Sequence, residues 1–285
     1  MSTAVRITRD QLLARIQACR ESLRACDLCE RCCGVDRTNG EAGPCGPLVE
    51  SRTFKRHLSY AEEAELCPSY MVYFAGCNFR CRFCVQAPEC FDPLMGAPAH
   101  PDELAADAAR AITGGARVIN LLGGEPTIHL HTLLETALAA MDQGNWPLPL
   151  AINTNMYMTP RVIEWLDGVA SLYIADFKFG SDACAARIAG VSPYVEILQR
   201  NLRLAAATPL IVRHLLMPGH VRCCFEPVAR WIAAELPRAK FSFMTGYVPA
   251  WRAEGDRELG RVSSRGELDA AEAIIQELRL WERAA

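Results

Sequence analysis

The 285-residue sequence has no uninterrupted apolar run of the about 20 residues that a membrane-spanning helix needs. Its first segment, MSTAVRITRDQLL, also lacks the apolar core of a secretory signal peptide. Basic residues are not in excess, because 30 Lys and Arg stand against 33 Asp and Glu, for a formal net charge of −3. From the first two absences we expect a cytoplasmic protein, and from the charge balance no membrane or nucleic-acid partner.

Cysteine, by contrast, is abundant, with 14 in the chain. Disulfides are rare in the cytoplasm, so this number indicates metal ligands and buried thiols rather than a disulfide framework. Most of the cysteines precede residue 91, which concentrates the expected metal chemistry in the first third of the chain.

Three cysteines with the spacing C-x3-C-x2-C, Cys77, Cys81 and Cys84, follow an apolar run that predicts a buried strand. Three thiolates on one loop can hold a metal centre, although an iron–sulfur cluster usually has four Cys ligands. The pattern therefore predicts a centre with one open position, at which a substrate or cofactor could bind.

A second cysteine group lies in a glycine-rich stretch without periodicity, which predicts a loop module. With the spacing C-x2-C-x3-C-x11-C, its candidate ligands are Cys26, Cys29, Cys33 and Cys45. Spacing alone leaves an iron–sulfur cluster and a structural zinc knot open, and Cys32 could substitute for Cys33. Cys19 falls on the apolar face of a predicted helix, so we expect it to be buried and not a ligand.

From about residue 69 the sequence alternates strand and helix patterns. The predicted strands cover 69–76, 117–122, 148–154, 171–177, 209–216 and 240–247. The predicted helices cover 8–24, 101–113, 129–142, 160–167, 183–189, 194–207, 226–236 and 265–283. Near-continuous apolar strands indicate parallel strands that are buried on both faces. We expect an α/β fold, a partial (β/α)6 TIM-like barrel with an N-terminal helix and a cysteine-rich loop module.

Three domains follow from this pattern. Residues 1–66 would form the N-terminal helix and cysteine-rich auxiliary-cluster module, 67–250 the partial barrel, and 251–285 a C-terminal helical extension. Catalytic groups of such a barrel come from the loops at the carboxyl ends of its strands.

Polar groups do collect at the predicted strand ends. The second strand runs into a Gly-Gly-Glu-Pro motif, formed by Gly123, Gly124, Glu125 and Pro126. The two glycines either let backbone approach a bound molecule or form an ordinary Gly-rich turn. Asn155 follows the third strand. Asp176 and Lys178 end the fourth, where they could grip a ligand's charged groups or ribose, or form a rim ion pair.

The fifth strand and the loop after it supply three candidate catalytic residues, His214, Cys223 and Cys224. A thiol on this loop could donate a hydrogen atom to a substrate radical or bind a further metal centre. We favour the simpler interpretation, that the two cysteines are incidental loop thiols, and Cys184 has no evident role.

With Phe83 before its last cysteine, the C-x3-C-x2-C loop resembles the signature of radical S-adenosylmethionine (SAM) enzymes. The Gly-Gly-Glu-Pro motif resembles the family's second motif, which holds the methionine amino group. The resemblance implies a [4Fe–4S] cluster on Cys77, Cys81 and Cys84, whose fourth iron binds the amine and carboxylate of SAM. Reductive cleavage of SAM would then give a 5′-deoxyadenosyl radical that abstracts a hydrogen atom. The resemblance also places Phe83 near the adenine, and the residues that would contact ribose or methionine are Asn155, Asp176 and Lys178.

Longer stretches are similar to the pyruvate formate-lyase activating enzyme-like subgroup: 26–37, Tyr173–Lys178, Ile211–Gly219 and Phe243–Pro249. Asn153 stands where activases carry an acid, which puts a bound-cation site there in doubt. Activases also lack a module like residues 26–45, so this module favours a second, auxiliary [4Fe–4S] cluster over zinc. The resemblance further implies an electron donor such as flavodoxin or ferredoxin.

The leading hypothesis is therefore a radical SAM enzyme that abstracts hydrogen from a peptide, a protein or a small molecule. An activase that installs a glycyl radical on a partner enzyme is the alternative within this class. A non-catalytic iron–sulfur or zinc protein for binding or electron transfer is the alternative from another class. The six predicted βα units with polar strand ends argue against the last of these.

Overall fold

The computed structural model describes residues 7–46 and 49–280, and this part of the chain contains eight strands and eight α-helices. The strands are β1 (Arg52–Ser59), β2 (Ser69–Phe74), β3 (Ala97–Pro98), β4 (Val118–Gly123), β5 (Leu150–Thr154), β6 (Leu172–Asp176), β7 (Leu210–Leu215) and β8 (Lys240–Met244). The helices are α1 (Arg9–Ser22), α2 (Pro101–Thr113), α3 (Leu130–Asp142), α4 (Pro160–Leu166), α5 (Asp182–Ala189), α6 (Val195–Ala205), α7 (Glu226–Glu235) and α8 (Arg265–Glu277). Among the described residues, none of the helices has the length and apolarity to span a bilayer.

The strands follow the order β3-β1-β2-β4-β5-β6-β7-β8 in one open sheet. Parallel pairing joins β2 to β4, β4 to β5, and β7 to β8. The six predicted strands are all present, and the predicted α/β fold of partial-barrel type is confirmed. Two antiparallel strands were not predicted: β1 pairs with β2, and the short β3 pairs with β1.

All eight predicted helices are present, with ends that differ from the prediction by a few residues. Thr8 and Gln11 form a capping box that starts α1, and the helix buries Leu12, Ile16 and Cys19. Cys19 is therefore a core residue, as expected. The last helix ends at Glu277, earlier than predicted, and residues 281–283 of that prediction lie outside the described part of the chain.

The chain forms two compact units that are interleaved in sequence. The first comprises the described residues of Met1–Asn78, Pro88–Thr154 and Met158–Tyr173. The second comprises those of Phe79–Ala87, Asn155–Tyr157 and Ile174–Ala285. The domain boundaries at 66/67 and 250/251 stay a prediction.

Each unit has its own apolar core. In the first, β2 and β4 pack side chains such as Val72, Ile119 and Leu121 against α2 and α3. In the second, buried Phe225 packs on two rings of β8, with centroids 6.3 Å from Phe241 and 5.0 Å from Phe243. Burial of large aromatic side chains of this kind supplies much of the stabilisation in a core.

Candidate functional site

In the first unit, Cys77 lies three residues beyond β2, beside the turn that follows β4. The N–H of Gly124 donates to the carbonyl of Phe74 at 2.8 Å. A Cβ on Gly124 would lie 1.8 Å from the oxygen of Gly76, and one on Gly123 would lie 2.4 Å from the nitrogen of Phe74. Both positions therefore need glycine because protein backbone, the segment leading to Cys77, fills the space of a side chain.

The acid of the Gly-Gly-Glu-Pro motif is fixed inside the protein. Glu125 is 1% exposed. Its Oε1 accepts hydrogen bonds from the hydroxyls of Thr127 at 2.7 Å and Thr154 at 2.6 Å. Its backbone N–H donates to Gly76 at 3.0 Å. The carboxylate and the backbone of this motif are thus held in place by the same first-unit framework that carries Cys77.

A buried polar network lies behind this turn. The His129 Nε2–H donates to the carbonyl of Ala75 at 2.7 Å, and its Nδ1 accepts from the Ser51 hydroxyl at 2.9 Å. Burial, with the nearby charge of Arg37, holds the pKa of His129 well below its ordinary value. Arg37 is itself buried and donates from Nη1 to the carbonyl of Ile128 at 2.7 Å. The network connects the segment before Cys77 with the loop after the Gly-Gly-Glu-Pro motif.

The candidate auxiliary ligands lie in one loop of the first unit. The loop is closed on itself, since the Cys26 N–H donates to the carbonyl of Val35 at 3.0 Å. A Cβ on Gly43 would lie 3.0 Å from the sulfur of Cys33 and 4.0 Å from that of Cys45. The sulfurs of Cys33 and Cys45 therefore both lie next to Gly43, on the side where other residues carry a side chain.

Cys33 and its neighbour Cys32 differ in how far they are buried. Cys32 is exposed, and its sulfur lies 3.5 Å from the carbonyl of Cys29, whereas Cys33 is half-buried. Cys26, Cys29 and Cys45 are buried. Burial raises the pKa of Cys29 to about 12 and also raises that of Cys45. A metal centre would displace the protons of these thiols when it binds.

No three of the four candidate thiols lie as close together as the ligands of one zinc ion do. Two Zn–S bonds of about 2.3 Å at the tetrahedral angle separate their sulfurs by about 3.8 Å. Among the described residues, no three of these four sulfurs lie within 4.8 Å of one another. The module also contacts the first cluster loop directly, because the Cys77 N–H donates to the carbonyl of Cys45 at 3.1 Å.

In the second unit, Cys81 and Cys84 lie on a turn that is closed by a hydrogen bond from the Cys84 N–H to the Cys81 carbonyl at 3.2 Å. The N–H groups of Arg80 and Arg82 each donate to a carbonyl in the last turn of α5 at 2.9 Å. Backbone bonds thus hold this part of the cluster loop on α5, independently of the side chains that it carries.

An ion pair lies beside Cys81. The Lys178 ammonium donates to Asp176 Oδ2 at 2.5 Å, at the end of β6. Burial raises the pKa of Cys81 to about 12, with Lys178 opposing and Asp176 reinforcing the shift. Burial lowers the pKa of Lys178, but Asp176 and Cys81 outweigh burial and the pKa is raised. Lys178 is therefore a charged group held next to a predicted cluster ligand.

Two other predicted cofactor contacts also lie in the second unit. Phe83 is buried, with its ring centroid 5.8 Å from that of Tyr247. The Tyr247 hydroxyl donates to the carbonyl of Leu259 at 2.8 Å, which fixes this ring. Asn155 is buried, and its Oδ1 accepts from the Tyr157 N–H at 3.0 Å. The role of Tyr247 as the packing partner of Phe83 was not predicted.

The candidate catalytic residues differ in their surroundings. His214 is buried, donates from Nδ1 to the carbonyl of Phe177 at 2.6 Å, and has a pKa lowered by burial to about 4. Cys223 is exposed and Cys224 is buried. Their catalytic roles stay a prediction. Cys184, for which no role was predicted, has its sulfur 3.8 Å from that of Cys223.

The family model described as the radical SAM superfamily matches residues 71–232. The uncharacterized protein MJ0674 of Methanocaldococcus jannaschii is 32% identical over 272 residues, which cover 93% of this chain and 78% of that protein. The chain therefore belongs to the radical SAM superfamily and is an enzyme of that class. Membership implies a [4Fe–4S] cluster and SAM as cofactors.

Solved structures share the fold. A mutant of spore photoproduct lyase superposes with a TM-score of 0.52 at 17% identity, covering 80% of this chain and 78% of that one. SuiB of Streptococcus suis, bound to its precursor peptide SuiA, gives a TM-score of 0.52 at 13% identity, covering 71% of this chain and 44% of SuiB. The chain thus spans less than half of SuiB. Identities this low establish a common fold and nothing finer.

Proposed function

We propose that this radical SAM enzyme binds its catalytic [4Fe–4S] cluster through Cys77, Cys81 and Cys84, cleaves SAM reductively, and abstracts hydrogen from a peptide, protein or small-molecule substrate. The observation that carries the proposal is the charged Lys178–Asp176 pair beside the buried thiol of Cys81. A half-buried cation and anion next to a proposed metal ligand favour a ligand-binding position over a fully solvated ion pair.

The residues fit a thiolate-bound cluster and a zwitterionic cofactor. Lys178 can donate to a carboxylate or a ribose hydroxyl, and Asp176 can accept from an amine or a hydroxyl. Phe83 offers a buried aromatic ring to an adenine. When bound and reduced, the cluster would supply the electron for cleavage of SAM to methionine and a 5′-deoxyadenosyl radical. The protein's part is to position the cofactor, to hold the charges that recognise it, and to exclude water.

Residues 26–45 carry the second part of the proposal, an auxiliary [4Fe–4S] cluster on Cys26, Cys29, Cys33 and Cys45. No three of their sulfurs lie within 4.8 Å of one another, which favours a centre larger than one tetrahedral zinc ion, and three of the four thiols are buried. An iron–sulfur cluster is such a larger thiolate-bound centre. Such a centre would bind substrate or accept an electron, with flavodoxin or ferredoxin as the external donor.

The proposed substrate class rests on the auxiliary module and on one structure of the same fold. SuiB was solved bound to a precursor peptide. We favour a peptide or metabolite over a glycyl-radical partner enzyme because of the auxiliary module. A glycyl radical detected by electron paramagnetic resonance on a candidate partner would reverse this preference.

The test is SAM cleavage by the anaerobically reconstituted protein with a strong reductant, followed as 5′-deoxyadenosine by chromatography. Cys81→Ala is expected to abolish the product, whereas Cys29→Ala should retain at least part of it. Cys67→Ala is the matched control, because Cys67 is a half-buried thiol outside both proposed ligand sets. Iron and sulfide of about eight each per chain are expected for two clusters, and about four for one.

The absence of 5′-deoxyadenosine from wild-type protein with a full iron content would refute the proposed activity. Unchanged product in Cys81→Ala would refute the ligand assignment. Zinc without iron after anaerobic purification would instead favour the non-catalytic alternative.

A further inference from the structure

A second group of metal-binding side chains lies in the second unit, apart from the cysteines assigned above. One ligand atom from each of Cys184, His220 and Cys223 lies within 4.8 Å of the other two. No other such group of three occurs among residues 7–46 and 49–280. The Cys184 and Cys223 sulfurs are 3.8 Å apart. This equals the separation of about 3.8 Å that two zinc-bound thiolates have at the tetrahedral angle.

The histidine presents an unprotonated nitrogen to this group. The Nδ1 of His220 lies 2.8 Å from the carbonyl of Pro218, which can only accept, so Nδ1 carries the proton. Its Nε2 lies 3.2 Å from a guanidinium nitrogen of Arg187, which can only donate, so Nε2 offers its lone pair. A carbonyl that fixes the remote N–H is the arrangement found behind metal-ligating histidines.

Arg187 occupies the direction from which a metal ion would approach Nε2. Its other terminal nitrogen donates to Glu258 at 2.6 Å, so the guanidinium keeps a carboxylate partner when it leaves the histidine. If a metal ion displaces Arg187 from the histidine, the guanidinium therefore still has Glu258 as its counterion. His220 Nε2 can then bind the metal ion in place of the Arg187 N–H.

Backbone geometry brings the ligands together from two separate segments. Cys184 lies in the first turn of α5, where its N–H donates to the Ser181 hydroxyl at 3.2 Å. His220 starts a π-turn, because the Phe225 N–H donates to the His220 carbonyl at 3.0 Å. Turns of this type occur often at functional sites.

A glycine allows the two segments to meet. A Cβ on Gly180 would lie 2.6 Å from the carbonyl oxygen of Cys224 and 2.8 Å from that of Cys223. Only glycine fits this close backbone approach, which sets the distance between α5 and the π-turn.

We propose that Cys184, His220 and Cys223 bind a single transition-metal ion, with zinc as the ion that this set of two thiolates and one imidazole fits best. The fourth position is open to water or substrate, since Cys223 is exposed to solvent. Cys224 is buried, and its sulfur lies 3.9 Å from that of Cys223. We leave it outside the proposed ligand set because it does not belong to the group whose ligand atoms all lie within 4.8 Å of one another. The site adds a mononuclear metal centre to the iron–sulfur chemistry of the proposed function and does not depend on it.

The test is the metal content of the full-length protein with its iron–sulfur sites loaded. After dialysis against a chelator and addition of zinc sulfate, wild-type protein is expected to retain about one zinc per chain that desalting does not remove. Cys184→Ala, Cys223→Ala and His220→Ala should each lose it. Loss of a group that only orients a metal ligand typically raises the Kd about 10- to 100-fold. Loss of a ligand itself should raise the Kd for zinc by more than that.

Cobalt(II) supplies an independent readout, because bound thiolates give a charge-transfer absorption that water ligands do not. His220→Cys should restore this absorption and the bound zinc, which separates loss of a ligand from loss of the fold. Cys224→Ala and Cys67→Ala are the matched thiol controls and should keep both signals. Iron content should not change in the zinc-site variants, and 5′-deoxyadenosine formation should not change in Cys184→Ala or His220→Ala.

Three results of the zinc assays would overturn the proposal. They are wild-type protein that retains no zinc, Cys184→Ala or Cys223→Ala protein that retains as much as wild type, and loss of zinc in Cys224→Ala. A Cys184–Cys223 disulfide found by mass spectrometry in anaerobic protein would also overturn it. Zinc retained by Cys81→Ala protein that makes no 5′-deoxyadenosine supports the site while the proposed function is tested separately.

Discussion

Replacement of Gly124 by alanine removes no interaction of a side chain, yet we expect it to be strongly destabilising. The new Cβ would lie 1.8 Å from the oxygen of Gly76, and real Cβ atoms essentially never approach another heavy atom closer than 3.0 Å. The contacting atom is backbone and cannot rotate away. One of the two segments must therefore shift by about 1.2 Å or more.

The magnitude follows from what this shift disrupts. Overpacking in a closely packed interior costs about 1–3 kcal/mol. The shift also strains the hydrogen bonds from the N–H groups of Gly124 and Glu125 to Phe74 and Gly76, each worth about 1 kcal/mol. A loss of about 3 kcal/mol should lower the Tm by about 6–12 °C in a protein of this size.

The assay compares thermal unfolding of Gly124→Ala with two matched glycine variants. Gly115 has a φ of +99° but open space around it, so alanine there adds only backbone strain of about 1–2 kcal/mol. Gly266 has open space and lies in the first turn of α8, where alanine should be neutral or slightly stabilising. We expect Gly124→Ala to have the lowest Tm of the three, and reduced 5′-deoxyadenosine because the displaced segment leads to Cys77.

A Tm for Gly124→Ala equal to or above that of Gly115→Ala would refute the reasoning. It would mean that the Gly76 segment moves freely and that the glycine serves only the bound cofactor.

Two further predictions concern α8 and the auxiliary module. Hydrogen bonds from Arg261 hold the pKa of Glu267 well below its usual value, so this acid stabilises the protein above about pH 4 and loses that effect as pH falls. Glu267→Gln should lower the Tm at pH 7 and flatten its decline between about pH 5 and 3, whereas the exposed Glu254→Gln should change neither. Cys33→Ala should lose about four irons per chain and Cys32→Ala none, by iron analysis. Equal losses of iron in the two variants would contradict the inference that Cys33, and not the exposed Cys32, is the ligand.

Strands with continuous apolar runs could be predicted from sequence, and β1 could not. The sequence of β1, RTFKRHLS, has four basic or imidazole side chains and few apolar ones. The strand pairs antiparallel to β2 near the edge of the sheet, where β3 covers only its first residues. Its side chains are mostly half-buried, so β1 lacks the continuous apolar sequence that burial on both faces of a sheet requires.

The cysteine motifs could also be predicted, because their ligands are close in sequence. Cys184 and Cys223 are separated by a helix and a strand, and only the close approach of Gly180 to the π-turn brings their sulfurs to 3.8 Å. A site that depends on backbone packing between distant segments cannot be predicted from the spacing of residues in the sequence. The glycines of the Gly-Gly-Glu-Pro motif were predicted to permit a close approach to a bound molecule or to form a turn; the structure shows a close approach of protein backbone, and the approach to a bound molecule stays a prediction.

The interleaving of the two units has a consequence for synthesis on the ribosome. The chain passes from one unit to the other after residues 78, 87, 154, 157 and 173, so no single cut yields two complete fragments. The nascent first unit is incomplete until Tyr173 has emerged, long after Cys77, Cys81 and Cys84. These thiols therefore leave the exit tunnel before either unit is complete, so we expect the proposed cluster to be inserted after translation rather than during it.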